Sequence, residues 1–221
     1  MTGLTLDTMK LDEHFDFTYL SLGAGVQSSA LLVLACTDDR VPKPDVAIFS
    51  DTGDEPQYVM DYLQMLKDYA EPFGINIVIA QKGDLSEDAL GRDKFVPIPL
   101  FTLHKDGSKG VLRRQCTREY KITPINKKVR EILGYKPRYR VKHKVRAMLG
   151  ISTDEMQRMK ESWMKWTTNT YPLIDLGISR KDCYQIMEQV GLPKPKKSAC
   201  VYCPYHDDQY WQWMKDEEPA E

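Results

Sequence analysis

"YLSLGAGVQSSALLVLA", residues 19–35, begins as an apolar run of β type, breaks at Gly23 and Gly25, and resumes with apolar residues at helical spacing. A strand that turns tightly into a helix presents backbone N–H groups and the positive end of a helix dipole to one point, and phosphate groups bind at such points. Glycine at 23 and 25 lets the backbone approach an anion, and Ser28 and Ser29 can donate hydroxyl hydrogen bonds in the first turn. No lysine follows the glycines, so the stretch is neither a Walker loop nor a dinucleotide fingerprint. The expectation is a phosphate-binding βα turn; the alternative is a tight turn in which glycine serves packing alone.

The flanking sequence continues the alternation. Strands are expected at 17–23, 45–53 and 75–81, with helices at 26–37 and 56–70 between them. This predicts an α/β fold with an open, mostly parallel sheet flanked by helices. Right-handed crossovers then bring the ends of the three strands to one edge. After residue 82 comes an irregular excursion containing Pro97 and Pro99, then a basic helix at 122–133 and a strand within 139–152. Helices are expected at 153–165, 180–190 and from about 207, and Ser179 with Asp182 has the spacing of a capping box. The chain divides on this reading into a nucleotide-binding core, 1–150, and a small C-terminal helical region with cysteines, 151–221, packed on it.

With 221 residues, 42% of them hydrophobic, the chain can bury a core. The net charge of -1, from 31 Lys and Arg against 32 Asp and Glu, gives no global reason for a polyanionic or membrane partner. Positive charge nevertheless concentrates between 113 and 146, interleaved with Tyr120, Tyr135 and Tyr139. That pattern suits phosphates and stacked bases, and equally a solvated helix face. Residues 1–17 lack the basic start and apolar stretch of a signal peptide, and no run approaches the roughly 20 apolar residues that span a bilayer. The expectation is a cytoplasmic protein.

In a reducing compartment the five cysteines read as ligands, nucleophiles or core thiols rather than disulfides. Cys200 and Cys203 form a C-x-x-C turn, whose sulfurs can reach one metal centre. Cys36, within "ALLVLAC", reads as a core thiol, which leaves Cys116, Cys183, Cys200 and Cys203 for the roughly four soft ligands of zinc or an iron-sulfur cluster. His206 ranks behind them. Arg113, Arg114 and Arg118 flank Cys116 and are placed to hold an anionic group. Trp163, Trp166, Trp211 and Trp213 read as core or partner-facing anchors.

"SLGAGVQSSALL" resembles the pyrophosphate loop of the ATP pyrophosphatase (PP-loop, adenine nucleotide alpha hydrolase) superfamily, motif S-G-G-x-D-S. Gly23, Ala24, Gly25, Val26, Gln27 and Ser28 fall on its six positions, with Gly23 in place of the usual serine and Gln27 in place of the usual acid. "FSDTGDE" resembles the D-T-G segment of the sulfonucleotide reductase branch. The resemblance implies that Asp51, Thr52 and Gly53, with Ser21, the loop and Ser29, bind ATP or an adenine sulfonucleotide, with magnesium. Asp54 and Glu55 are equally explained as acids complementing a helix dipole. "YPLIDLGISRKDCYQIMEQVGLPKP" followed by "SACVYC" is similar in order to the phosphoadenosine phosphosulfate reductase-like branch. "GISTDEMQR" is similar to that branch's substrate segment, with Arg158 on its final arginine.

The resemblance implies anion-handling arginines at 114, 118 and 158, and a 4Fe-4S cluster on Cys116, Cys183, Cys200 and Cys203, with zinc as the alternative. No cysteine follows Cys203, so the thiol nucleophile segment of true reductases has no counterpart; a prophage-type or DNA-modification relative fits better. Three functions follow as expectations. One is sulfur transfer to a nucleic acid or nucleotide, with a nucleic acid or a sulfur-donor protein as partner. A second is sulfonucleotide reduction with an external thiol, and a third is a silent nucleotide-binding module with structural zinc. A homodimer is one of the assemblies left open.

Overall fold

A computed structural model describes residues 14–91 and 98–219; Pro97 and most of the N-terminal stretch lie outside the described residues. Strands β1 (Phe17–Leu22), β2 (Val46–Asp51) and β3 (Ile77–Gln81) alternate with helices α1 (Val26–Thr37) and α2 (Gln57–Ala70). The short helix α3 (Leu85–Leu90) follows, then an antiparallel hairpin of β4 (Phe101–Leu103) and β5 (Lys109–Val111). A π-helical turn, Thr117–Ile122, runs into α4 (Thr123–Ile132), and β6 (Val145–Leu149) returns to the main sheet.

The region after residue 150 departs from expectation. In place of a helix at 153–165 there is a 3-10 segment, Thr153–Arg158, broken at Glu155, and then a strand, β7 (Thr167–Thr170). "TTNT" carries no apolar alternation, because β7 is an edge strand that needs only β-branched residues to pair with β6. The C-terminal region is therefore not helical throughout. It ends in α5 (Pro172–Asp175), α6 (Arg180–Gln189) and α7 (Asp208–Glu217).

The main sheet runs β3-β2-β1-β6-β7 and every pair in it is parallel. Alternate side chains feed two cores. Leu20, Leu22, Ala47, Phe49 and Met148 face α1, α2 and α6, whereas Tyr19, Ile48, Val145 and Ala147 face α4. Burial on both faces explains why the central strands are nearly continuous apolar runs. Nine of the twelve residues of α1 are buried, since α1 is sandwiched between sheet and α6, whereas α2 buries only Val59, Tyr62, Leu63, Leu66 and Ala70, the stripe of a surface helix. Among the described residues no helix is long and apolar enough to cross a membrane.

Strand order reverses beside β1: the chain builds outward through β2 and β3, then returns to add β6 and β7 on the other side. Open α/β sheets bind ligands outside the carboxyl ends of the strands at such a switch point.

The capping box of α6 is present as expected: the Ser179 hydroxyl accepts the Asp182 N–H, and the Asp182 carboxylate accepts the Ser179 N–H. Ser179→Ala is expected to cost about 1 kcal/mol, which thermal unfolding reads as a fall of roughly 2–4 °C.

Candidate functional site

The β1–α1 turn stands at the switch point. Gly25 is the N-cap of α1, with no side-chain cap, and a Cβ built there meets nothing within 4 Å. The first-turn N–H groups of α1 are therefore left for an anion. Ser28 braces the turn: its Oγ accepts the Gly23 N–H at 3.2 Å and donates to the Gly25 carbonyl at 3.0 Å. Ser29 is fully buried within α1, so only one of the two expected hydroxyls faces the turn. Ala24 sits at φ 52, in the left-handed region, where an L side chain costs about 1–2 kcal/mol. Glycine would take this conformation without that cost.

The end of β6 closes on the same turn. A Cβ at Gly150 would lie 2.7 Å from both Cα and N of Ser28, so only glycine permits the approach. Just beyond it, the Gln27 amide donates to Ser152 Oγ at 3.2 Å and to Glu155 Oε2 at 2.9 Å. Gln27 is thus set against a carboxylate, Glu155, which also pairs with Arg158 and, at 3.7 Å, with Arg180. Sequence reasoning passed over Glu155, although it stands three residues before Arg158 in the quoted substrate-like segment.

At the end of β2, Gly53 takes φ +82 and packs within 2.8 Å, measured from a built Cβ, of the Asp84 backbone. Asp51 accepts the Gly53 N–H at 2.8 Å. Thr52, 1% exposed, turns toward the cysteines: its Oγ1 lies 3.2 Å from Cys200 Sγ and donates to Glu55 Oε1 at 3.3 Å. Asp54 and Glu55 do more than complement a dipole. Asp54 accepts from Tyr202 Oη at 2.6 Å and from the Ser86 N–H at 2.9 Å, and its carbonyl accepts the Val201 N–H. Glu55, its side chain 1% exposed, is bonded by the Lys121 ammonium at 3.0 Å. Burial alone would lower the Lys121 ammonium, but Glu55 and then Cys200 outweigh it and hold it above its ordinary value. Lys121 was missed in sequence; the signal available was a lone lysine five residues after Cys116.

Cys116 and Cys200 both pack on the small cluster of Leu85, Ile98 and Tyr120. Cys203 is one turn from Cys200, its N–H donating to the Cys200 carbonyl at 3.0 Å. His206, the fifth expected ligand, instead pairs its Nε2 with that same carbonyl at 2.9 Å and braces the turn. Cys183 is elsewhere. It is wholly buried in the core containing α1, and burial pushes its thiol up to about 12. Among the described residues no three His, Cys, Asp or Glu side chains converge as a metal-holding group. The arginines have separate partners: Arg114 lies 5.2 Å over the Tyr205 ring, Arg118 4.4 Å over Trp163, and Arg158 against Glu155.

These features define an open parallel α/β protein with an anion-type βα turn at its switch point and a cysteine rim beside it. No protein-family model matches the sequence, and no curated protein matches it. Among solved structures the chain is similar to the phosphoadenylyl-sulfate (PAPS) reductase from Candida auris in a phosphate complex. The identity is 14% and the TM-score 0.53, over 85% of this chain and 83% of that one. It is also similar to the U34-tRNA thiolase NcsA from Methanococcus maripaludis with its 4Fe-4S cluster, at 15% identity and TM-score 0.48, over 90% of this chain and 66% of that one. The fold is thus that of the PAPS reductase structure, the one implied by the loop resemblance.

Two outcomes test the site. Gln27→Glu loses two donated bonds and sets a second carboxylate against Glu155, at a cost of about 1 kcal/mol; adding Glu155→Gln should recover most of it in denaturant unfolding. Simple additivity of the two changes would show the contact to be energetically idle. Burial first, then Glu55, pushes the Cys200 thiol up to about 11, against the opposing Thr52 bond and Lys121. Its alkylation in metal-free protein should rise about tenfold per pH unit from neutrality, with no plateau before roughly pH 10.

Proposed function

We propose that this chain is a sulfur-handling enzyme that binds an adenine nucleotide, ATP or a sulfonucleotide, at residues 23–28 and 51–53. We further propose that it carries an iron-sulfur cluster on Cys116, Cys200 and Cys203. The observation that carries the reading is the Thr52 contact: the residue that closes the nucleotide edge of β2 touches Cys200 at 3.2 Å, so phosphate and cysteine chemistry share one rim. Cys116 and Cys200 pack on one apolar cluster and Cys203 follows Cys200 by one turn; the three do not converge as they stand, so a cluster would have to draw them together, and Cys183, sealed in the core, does not belong to the set. A cluster bound there would supply sulfide or electrons to the substrate.

The chain's own residues do the rest. Uncapped amides of α1 stabilise negative charge on a pyrophosphate or sulfate group as it forms, at fixed positions and without reorganisation. Arg114, Arg118 and Arg158 would serve as anion holders. Glu155, bonded to Gln27, is the carboxylate that would stand beside a magnesium brought in with the phosphates. Sulfur transfer to a nucleic acid or nucleotide is the preferred reaction. Reduction of an adenylylated sulfate by an external thiol is the second.

Protein purified without oxygen should hold about four irons and four acid-labile sulfides per chain. Cys116→Ser and Cys200→Ser should each abolish the cluster absorbance, whereas Cys183→Ala should retain it and lose about 1 kcal/mol of stability to the small cavity. Zinc without iron would leave a nucleotide-binding module with a structural site. Pyrophosphate release from ATP supports the first reaction, and sulfite release from a sulfonucleotide the second.

A further inference from the structure

At the opposite edge of the sheet, where β6 and β7 begin, residues 139–144 and 165–166 border a cleft of about 840 Å³. Five residues of β6 at about 3.3 Å each set it roughly 17 Å from the nucleotide edge, so it is not part of that site. Six of its nine lining residues are basic, namely Arg130, Arg140, Lys142, His143, Lys144 and Lys165, and none is acidic. In a chain of net charge -1 this is a local concentration.

The cleft wall is held in one shape. The Arg130 guanidinium donates to the carbonyls of Lys136 and Tyr139, both at 2.8 Å. Tyr135 Oη accepts the Lys142 N–H at 3.0 Å and pairs with His143 Nδ1 at 2.7 Å. Between these ties Arg138 is kept at φ 69, a left-handed conformation that persists only where the surroundings over-determine it. Arg140, Lys142 and Lys165 are exposed and have no ion-pair partner among the described residues. Tyr139, 65% exposed, stands among them, and Trp166 is half-buried beside Lys165.

We infer that this cleft binds single-stranded nucleic acid. Unpaired cations on a rigid wall neutralise successive phosphates, and an exposed ring between them offers a face on which a base stacks. A lone phosphate would not need so broad a cleft or a ring, and an acidic protein surface would gain nothing from Tyr139. The inference stands apart from the nucleotide and cluster readings, because the cleft shares no residue with them.

The test is fluorescence anisotropy of the full chain with labelled oligodeoxythymidylate of about 12 nucleotides, without ATP or metal, from 50 to 200 mM salt. The wild type should bind, its affinity falling steeply with salt. Arg140→Gln/Lys142→Gln/Lys165→Gln should bind about tenfold or more weakly, with a log–log salt slope shallower by about 2. Tyr139→Ala should weaken binding about fivefold or more while leaving that slope unchanged. Lys105→Gln/Lys215→Gln should bind as the wild type does, and unfolding midpoints of all variants should match. Failure of the wild type to bind, an unaffected triple variant, or displacement by polyglutamate as effective per charge with no effect of Tyr139→Ala would each overturn the inference.

Discussion

Double-sided parallel pairing of β1 is the constraint on which the rest of the molecule depends. With β2 on one side and β6 on the other, the carboxyl end of β1 cannot continue into a neighbouring strand's space and must turn out of the sheet at once. That turn is short enough to put Ala24 in the left-handed region and close enough to β6 to demand glycine at 150. The same pairing orients α1 with its uncapped amino end at the strand edge, so those exposed amides are a by-product of how the sheet is assembled.

The first half of the fold was legible because buried parallel strands and the helices between them announce themselves by long apolar runs. Leu20, Phe49 and Leu66 are where the pattern put them. The second half was not. β7 is polar and lies at the sheet edge, so period-2 alternation is missing, and the segment before it reads as helix from composition although its backbone breaks at Glu155. The tight turn between β1 and α1 was readable from glycine spacing. Glu55, Lys121 and Glu155 were not, because each acquires its role from a partner far away in sequence, and the partner is visible only once the sheet edge is assembled.

The cysteines make the same point in reverse. Spacing treats Cys116, Cys183, Cys200 and Cys203 as equals, yet burial separates them. Cys183 occupies a helix face that α6 must bury against α1, where a small apolar side chain is required and a charged thiolate would be expelled. Cys116 and Cys200 lie on a satellite cluster under the hairpin-bearing excursion, half-open to the rim. Motif matching alone could not separate a core position from a rim position.

His206 links the rim to the C-terminal helix. Its ring holds the Cys200 carbonyl while stacking at 4.0 Å on Tyr210 of α7, and α7 is in turn tied to α2 through the hydroxyl contact of Tyr58 with Tyr210 and the Tyr58–Trp213 ring contact. The C-x-x-C turn is thus held from two sides, by the Asp54 bonds of Val201 and Tyr202 and by a helix that it precedes. A local opening that undocks α7 therefore strips one of two supports from the turn and leaves it hanging on the end of β2 alone.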